Sequence, residues 1–153
     1  MRSPLVVLLL IPALAVAQPK AKEFKLSEDE QGVLDATNAE RKAEGLPPLK
    51  PNPKLFAAAR AHSENMAKQS KLDHVLDEKT PADRVKAAGY AFRMVGENVE
   101  HNAPTPAEAV KDWMNSPGHK ANILNKDFTE IGIAVARNDK GEPYWTQVFA
   151  RPR

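Results

Sequence analysis

Asn52-Pro53, Thr80-Pro81 and Thr105-Pro106 each put a capping residue directly before a proline. An N-cap side-chain oxygen accepts from the first free amides of a helix, and proline at the first helical position already has the required φ. These pairs fix where helices begin and confine the chain to helices short enough to lie between them. A fourth start is Ser27 with Glu30, a Ser-x-x-Glu capping box.

Stops follow at matching places. Val33, Leu34 and Thr37 set the buried stripe of the first helix, and Gly45 with Leu46-Pro47-Pro48 ends it. Leu55, Ala58, Ala59, His62 and Met66 recur at helical spacing in the second, which frays near Ser70. Val85 and Ala88 face inward in the third, and Gly89 closes it. Ala107, Val110, Trp113 and Met114 form the apolar face of the fourth. Pro117-Gly118 ends that helix, and "HKANIL" reads as one further helical turn.

The period then changes. From Ile131 to Ala136, "IGIAVA" alternates, with Ile131, Ile133 and Val135 on one face and Gly132, Ala134 and Ala136 on the other. The small face lets a helix pack close. Asn138 to Gly141 is a turn, and "YWTQVFA" is the partner strand. Helices first and a hairpin last make a single α+β domain over residues 27–153, with no internal repeat.

The start of the chain is of another kind. "MRSPLVVLLLIPALAVAQ" has one positive charge, an apolar run from Leu5 and an Ala15-Val16-Ala17 cleavage pattern, so residues 1–17 read as a secretory signal peptide. The alternative is an uncleaved anchor, but Pro12 interrupts a run already short for a membrane span. Residues 18–26 read as a flexible leader. Removing residues 1–17 takes Arg2 with them and lowers the net charge from +2 to +1. A nearly neutral chain with mixed charges has no electrostatic footprint for nucleic acid. With no cysteine, disulfides, thiol nucleophiles, cysteine-based zinc sites and a lipid-anchoring cysteine are all excluded. A bacterial protein, secreted or periplasmic, fits these features.

Four histidines are the candidates for chemistry, and no two have the i, i+4 spacing of a helical zinc motif. His62 falls on the buried face of the second helix, as a core histidine satisfied by a hydrogen bond. His101, in "EHNAPTP", reads as solvated in a polar loop. His74 lies in a loop between two helices, where a scaffolded functional residue and a solvent-exposed one are equally consistent with the position. His119 follows the Ser116-Pro117-Gly118 break, which either aims the ring rigidly or leaves it as a helix cap. Glu97, in "GEN", is either a surface charge or a carboxylate that orients a histidine. No serine sits in a Gly-x-Ser-x-Gly turn.

Seven stretches, in order, carry a resemblance: "LDATNAERKAEGLPPLKPNPKLFAAARAHSENMAK", "LDHV", "DRVKAAGY", "GENV", "AVKDWMNSPGHKANILN", "FTEIGIAVA" and "YWTQVFA". Together they resemble the CAP superfamily, also called the SCP domain family, in its bacterial branch. That resemblance implies an α-β-α sandwich with a small antiparallel sheet between helical layers. It also implies a groove in which His74 and His119 gather with Glu97, beside Asn98 and Ser116. Ser116 stands where animal and plant members carry a second glutamate, so a mechanism based on two carboxylates is incomplete here.

The expected function is a non-catalytic, monomeric binding module without a membrane span after signal cleavage. His74 and His119 hold a divalent metal such as zinc, and the groove takes a lipid, glycan or envelope protein. The alternative is a zinc-assisted envelope hydrolase with Glu97 as general base. A third reading makes the histidines and Glu97 a hydrogen-bonded cluster that only holds loops together.

Overall fold

In the computed structural model, which describes residues 24–153, each expected helix start is a formed cap. Helix α1 is Glu28–Ala43, with Ser27 and Glu30 bonded reciprocally. Strand β1 is Lys50–Pro51 and helix α2 is Pro53–Gln69, capped by Asn52 and ended by Ser70 in the left-handed conformation. Helix α3 is Pro81–Ala87, strand β2 is Phe92–His101, and helix α4 is Pro106–Asn115. Helix α5 is Pro117–Ile123, strand β3 is Glu130–Arg137 and strand β4 is Pro143–Pro152.

The strands form one sheet in the order β1-β3-β4-β2. The β2–β4 and β3–β4 pairs are antiparallel, and the two residues of β1 join β3 in parallel. The sheet is therefore mixed at one edge, because Lys50 and Asn52 donate to the carbonyls of Thr129 and Ile131. Strand β2 forms the other edge.

The alternation of β3 sorts the helices into two layers. Ile131 and Ile133 pack with Trp145 and Phe149 against Val33 of α1, Trp113 of α4 and Ile123 of α5. Ala134 packs with Val148 and Ala150 against Leu55 and Ala58 of α2 and Val85 of α3. This is the α-β-α sandwich. Close approach on the second face requires glycine at 132, since a Cβ there would stand 2.0 Å from the Leu55 carbonyl carbon.

Three expectations change. The sequence marks β2 only as a polar segment around "GEN", yet the strand pairs with β4 from Phe92 to His101. His101 ends that strand rather than lying solvated in a loop: its half-buried ring stacks on Tyr144 at 4.3 Å between centroids. The leader, residues 18–26, is anchored at its end, where Phe24 and Leu26 pack on the core and Phe24 meets the Phe56 ring edge-on. Burying these apolar side chains ties residues 24–26 to the core. The expected signal peptide and residues 18–23 lie outside the described residues.

Candidate functional site

Successive residues of a strand point to opposite faces of its sheet. Glu97 and Asn98, adjacent in β2, therefore reach into different helical layers from one edge of the sheet. Glu97 serves the α2–α3 side, where His74 lies. Asn98 serves the α5 side, where His119 lies.

Glu97 is buried, its side chain 1% exposed. Its Oε1 lies 3.0 Å from Nδ1 of His74, and its Oε2 accepts from Nη2 of Arg84 at 2.6 Å. A carboxylate paired with a guanidinium is an acceptor, so Nδ1 of His74 carries a proton and, in the neutral ring, Nε2 keeps its lone pair. Arg84 also fixes the loop that carries His74, donating to the backbone carbonyls of His74 at 3.0 Å and Lys79 at 2.8 Å. From α2, Nε2 of His62 donates to the Asp73 carbonyl at 2.9 Å and stands 3.7 Å from Glu97. His62 is thus the hydrogen-bonded core histidine expected, and it clamps the residue before His74.

On the other face, Asn98 donates to the carbonyl of His119 at 3.1 Å and accepts from Asn122 at 2.9 Å. It also donates to Gln147, whose amide donates in turn to Thr37 at 2.7 Å. Asn98, Gln147 and Thr37 are fully buried, so this chain of bonds ties α5 through the sheet to α1. Arg41, also fully buried, donates to the carbonyls of Ile123 and Asn125 and pins the far end of α5. Ser116 is both the last cap of α4 and the first of α5, and its side chain makes no capping bond.

The imidazoles are tuned in opposite directions. The bond to Glu97 raises the pKa of His74 above its ordinary value, with burial opposing. Burial lowers that of His119, and the charge on nearby His74 lowers it further. Burial also lowers that of His62, with Glu97 opposing. Among the described residues, no group of three or more His, Cys, Asp or Glu side chains is arranged to hold a metal.

His74 and Glu97 are brought into direct contact, and Asn98 is bonded to the backbone of His119. Sequence reasoning missed Arg84, Gln147 and Asn122 as supports. Asn122 lies three residues beyond His119 on the same helical turn, a spacing visible in "HKANIL". Nothing local marked Arg84 or Gln147, whose partners are distant in sequence.

Comparison with known proteins agrees with this fold. Residues 34–149 match the family described as CAP, the cysteine-rich secretory protein family. The Bacillus subtilis (strain 168) protein named "Uncharacterized protein YkwD" is 40% identical over 125 residues, covering 81% of this chain and 48% of that protein. The chain spans less than half the length of the curated relatives it matches. Among solved structures, the extracellular SCP-domain protein of Bacillus anthracis superposes with a TM-score of 0.73 at 28% identity, covering 84% of this chain and 45% of that one. An outer surface protein of Borrelia burgdorferi gives a TM-score of 0.78 at 21% identity, covering 85% of this chain and 97% of that one.

Proposed function

Because the chain belongs to the cysteine-rich secretory protein (CAP) family, we propose that it is a secreted or periplasmic binding module whose groove runs along the β2 edge between the His74 loop and α5. Relatives described as extracellular and outer-surface proteins support this location. No described helix is long and apolar enough to cross a membrane. The ligand class is a lipid, glycan or protein of the cell envelope.

The observation that carries the binding reading is the double engagement of Glu97. Both its oxygens are taken, one by His74 and one by Arg84, in a side chain only 1% exposed. A general base must reach the proton it removes, and a carboxylate this buried and held from both oxygens is placed to orient His74 rather than to meet a ligand. Glu97 instead holds the His74 ring, as carboxylates behind metal-ligating histidines do. His74 and His119 are the donors that would hold a divalent metal, and the remainder of its shell would come from water or ligand. When bound, the metal supplies a Lewis-acidic anchor for a ligand oxygen.

Calorimetric titration of Zn²⁺ into the metal-stripped chain at neutral pH, beside a His74→Ala, His119→Ala double variant, tests this. One-to-one binding that the double variant loses is the expected result. Equal heats from both proteins would remove the metal from this groove.

A further inference from the structure

A cavity of about 450 Å³ lies between α2 and α3. Its volume falls in the range of small-molecule sites. The methyl groups of Ala57, Ala61 and Ala88 and the side chain of Leu76 line it, and Asp77 and Arg84 add polar groups. None of His74, Glu97 and His119 lines it.

Arg84 makes this more than a small-residue stripe. Its side chain is 8% exposed, and both terminal nitrogens are bonded, to Glu97, the His74 carbonyl and the Lys79 carbonyl. Its Nε–H is buried with no partner. A buried donor without an acceptor is destabilising, and a ligand that supplies the acceptor is favoured for that reason.

The chemistry of that acceptor follows from its surroundings. Glu97 already stands 2.6 Å from the guanidinium and matches its charge. Asp77 adds negative charge to the lining, against one further cation, Lys79. A carbonyl meets the N–H without placing another anion beside Glu97. Asp77 is held in a turn whose residues 77 and 78 are both left-handed, at φ 50° and 59°. Its carboxylate accepts from Asn65 at 2.8 Å and from Gln69 at 3.2 Å. Lone-pair capacity remains for an N–H donor.

We propose that the α2–α3 cavity is a second binding site, taking a short neutral peptide segment with alanine-sized side chains. A peptide carbonyl accepts from Arg84 Nε, a peptide N–H donates to Asp77, and small side chains lie on the alanine walls. Arg84 joins this site to the groove, because the same guanidinium holds Glu97 and the His74 loop.

The test is an NMR titration of the isotope-labelled chain with N-acetyl-Ala-Ala-Ala-amide. Saturable shifts are expected at Ala57, Ala61, Ala88 and the Arg84 Nε–H. Ala61 is exposed, so Ala61→Leu fills the cavity without entering the core. That variant should weaken peptide binding at least tenfold and leave zinc titration of the groove unchanged, so failure of one site is read apart from failure of the other. Absence of saturable shifts at millimolar peptide would overturn the proposal, as would equal binding by Ala61→Leu. Acetate producing the same shifts would replace the neutral ligand with an anion and overturn it too.

Discussion

Replacing Glu97 with glutamine changes one oxygen to an amide nitrogen and separates orientation from shape. Arg84 can only donate, so the amide oxygen of the new residue turns toward it and the NH₂ group faces His74. Nδ1 of His74 must then accept, which moves the ring proton to Nε2 and removes the lone pair offered to the groove. The pair being broken is buried, with side chains 8% and 1% exposed. Removing one partner of such a pair costs about 3–5 kcal/mol. The glutamine keeps one acceptor and Arg84 keeps two backbone carbonyls, so a loss of about 3 kcal/mol is expected, at the low end of that range. With about 5–15 kcal/mol available to a domain of this kind, Glu97→Gln stays folded. At a urea dependence of about 2 kcal/mol per molar, its unfolding midpoint falls by about 1.5 M. Imidazole ¹⁵N shifts report the tautomer directly. A stability change within about 0.5 kcal/mol, the size of an ordinary surface substitution, together with a proton still on Nδ1 of His74, would refute this reasoning.

Other outcomes follow from the same geometry. Gly132→Ala drives a Cβ into the Leu55 backbone at 2.0 Å, so its destabilisation should exceed the roughly 1–3 kcal/mol of ordinary overpacking in a thermal melt. Asn98→Ala removes one partner each from Gln147, Asn122 and the His119 carbonyl, and should cost about 2–3 kcal/mol in urea while moving α5 in a crystal structure. By NMR titration, His74 should protonate above the ordinary histidine value and His119 below it; the reverse order would contradict the Glu97 contact. In linkage terms, His62 and His119 have lowered pKa values, so their share of stability is lost as pH falls below about 6.5. His74 has the opposite sign: the stabilisation that its charged ring gains from Glu97 is fully present below about 6.5 and is lost as pH rises through its raised pKa, while the Nδ1–H bond of the neutral ring remains. Glu97→Gln should therefore abolish the His74 contribution and leave stability falling more steeply with acid.

Local chemistry made much of the fold readable. The caps at Ser27, Asn52, Thr80 and Thr105 act within one helical turn, so sequence alone locates them. The large-small alternation of Ile131 to Ala136 encodes which face receives α2, and Gly132 is the point of closest approach. Strand β2 is hidden because its buried residues include Glu97 and Asn98, polar side chains satisfied only by partners in other elements. His74 and His119 are legible through the resemblance of their motifs. Their supports are not, since Arg84 meets Glu97 across the α3–β2 connection and Gln147 meets Thr37 between opposite ends of the domain. Such contacts leave no periodic trace.

The most direct test of the groove is a crystal structure of the zinc-soaked chain with anomalous data at the zinc edge. A single peak bonded to Nε2 of His74 and to the His119 ring, with Glu97 still on Nδ1 of His74, is the expected result. Zinc bound by the Glu97 carboxylate itself, or anomalous density only elsewhere on the surface, would contradict the assignment of Glu97 as the residue that holds His74 in place.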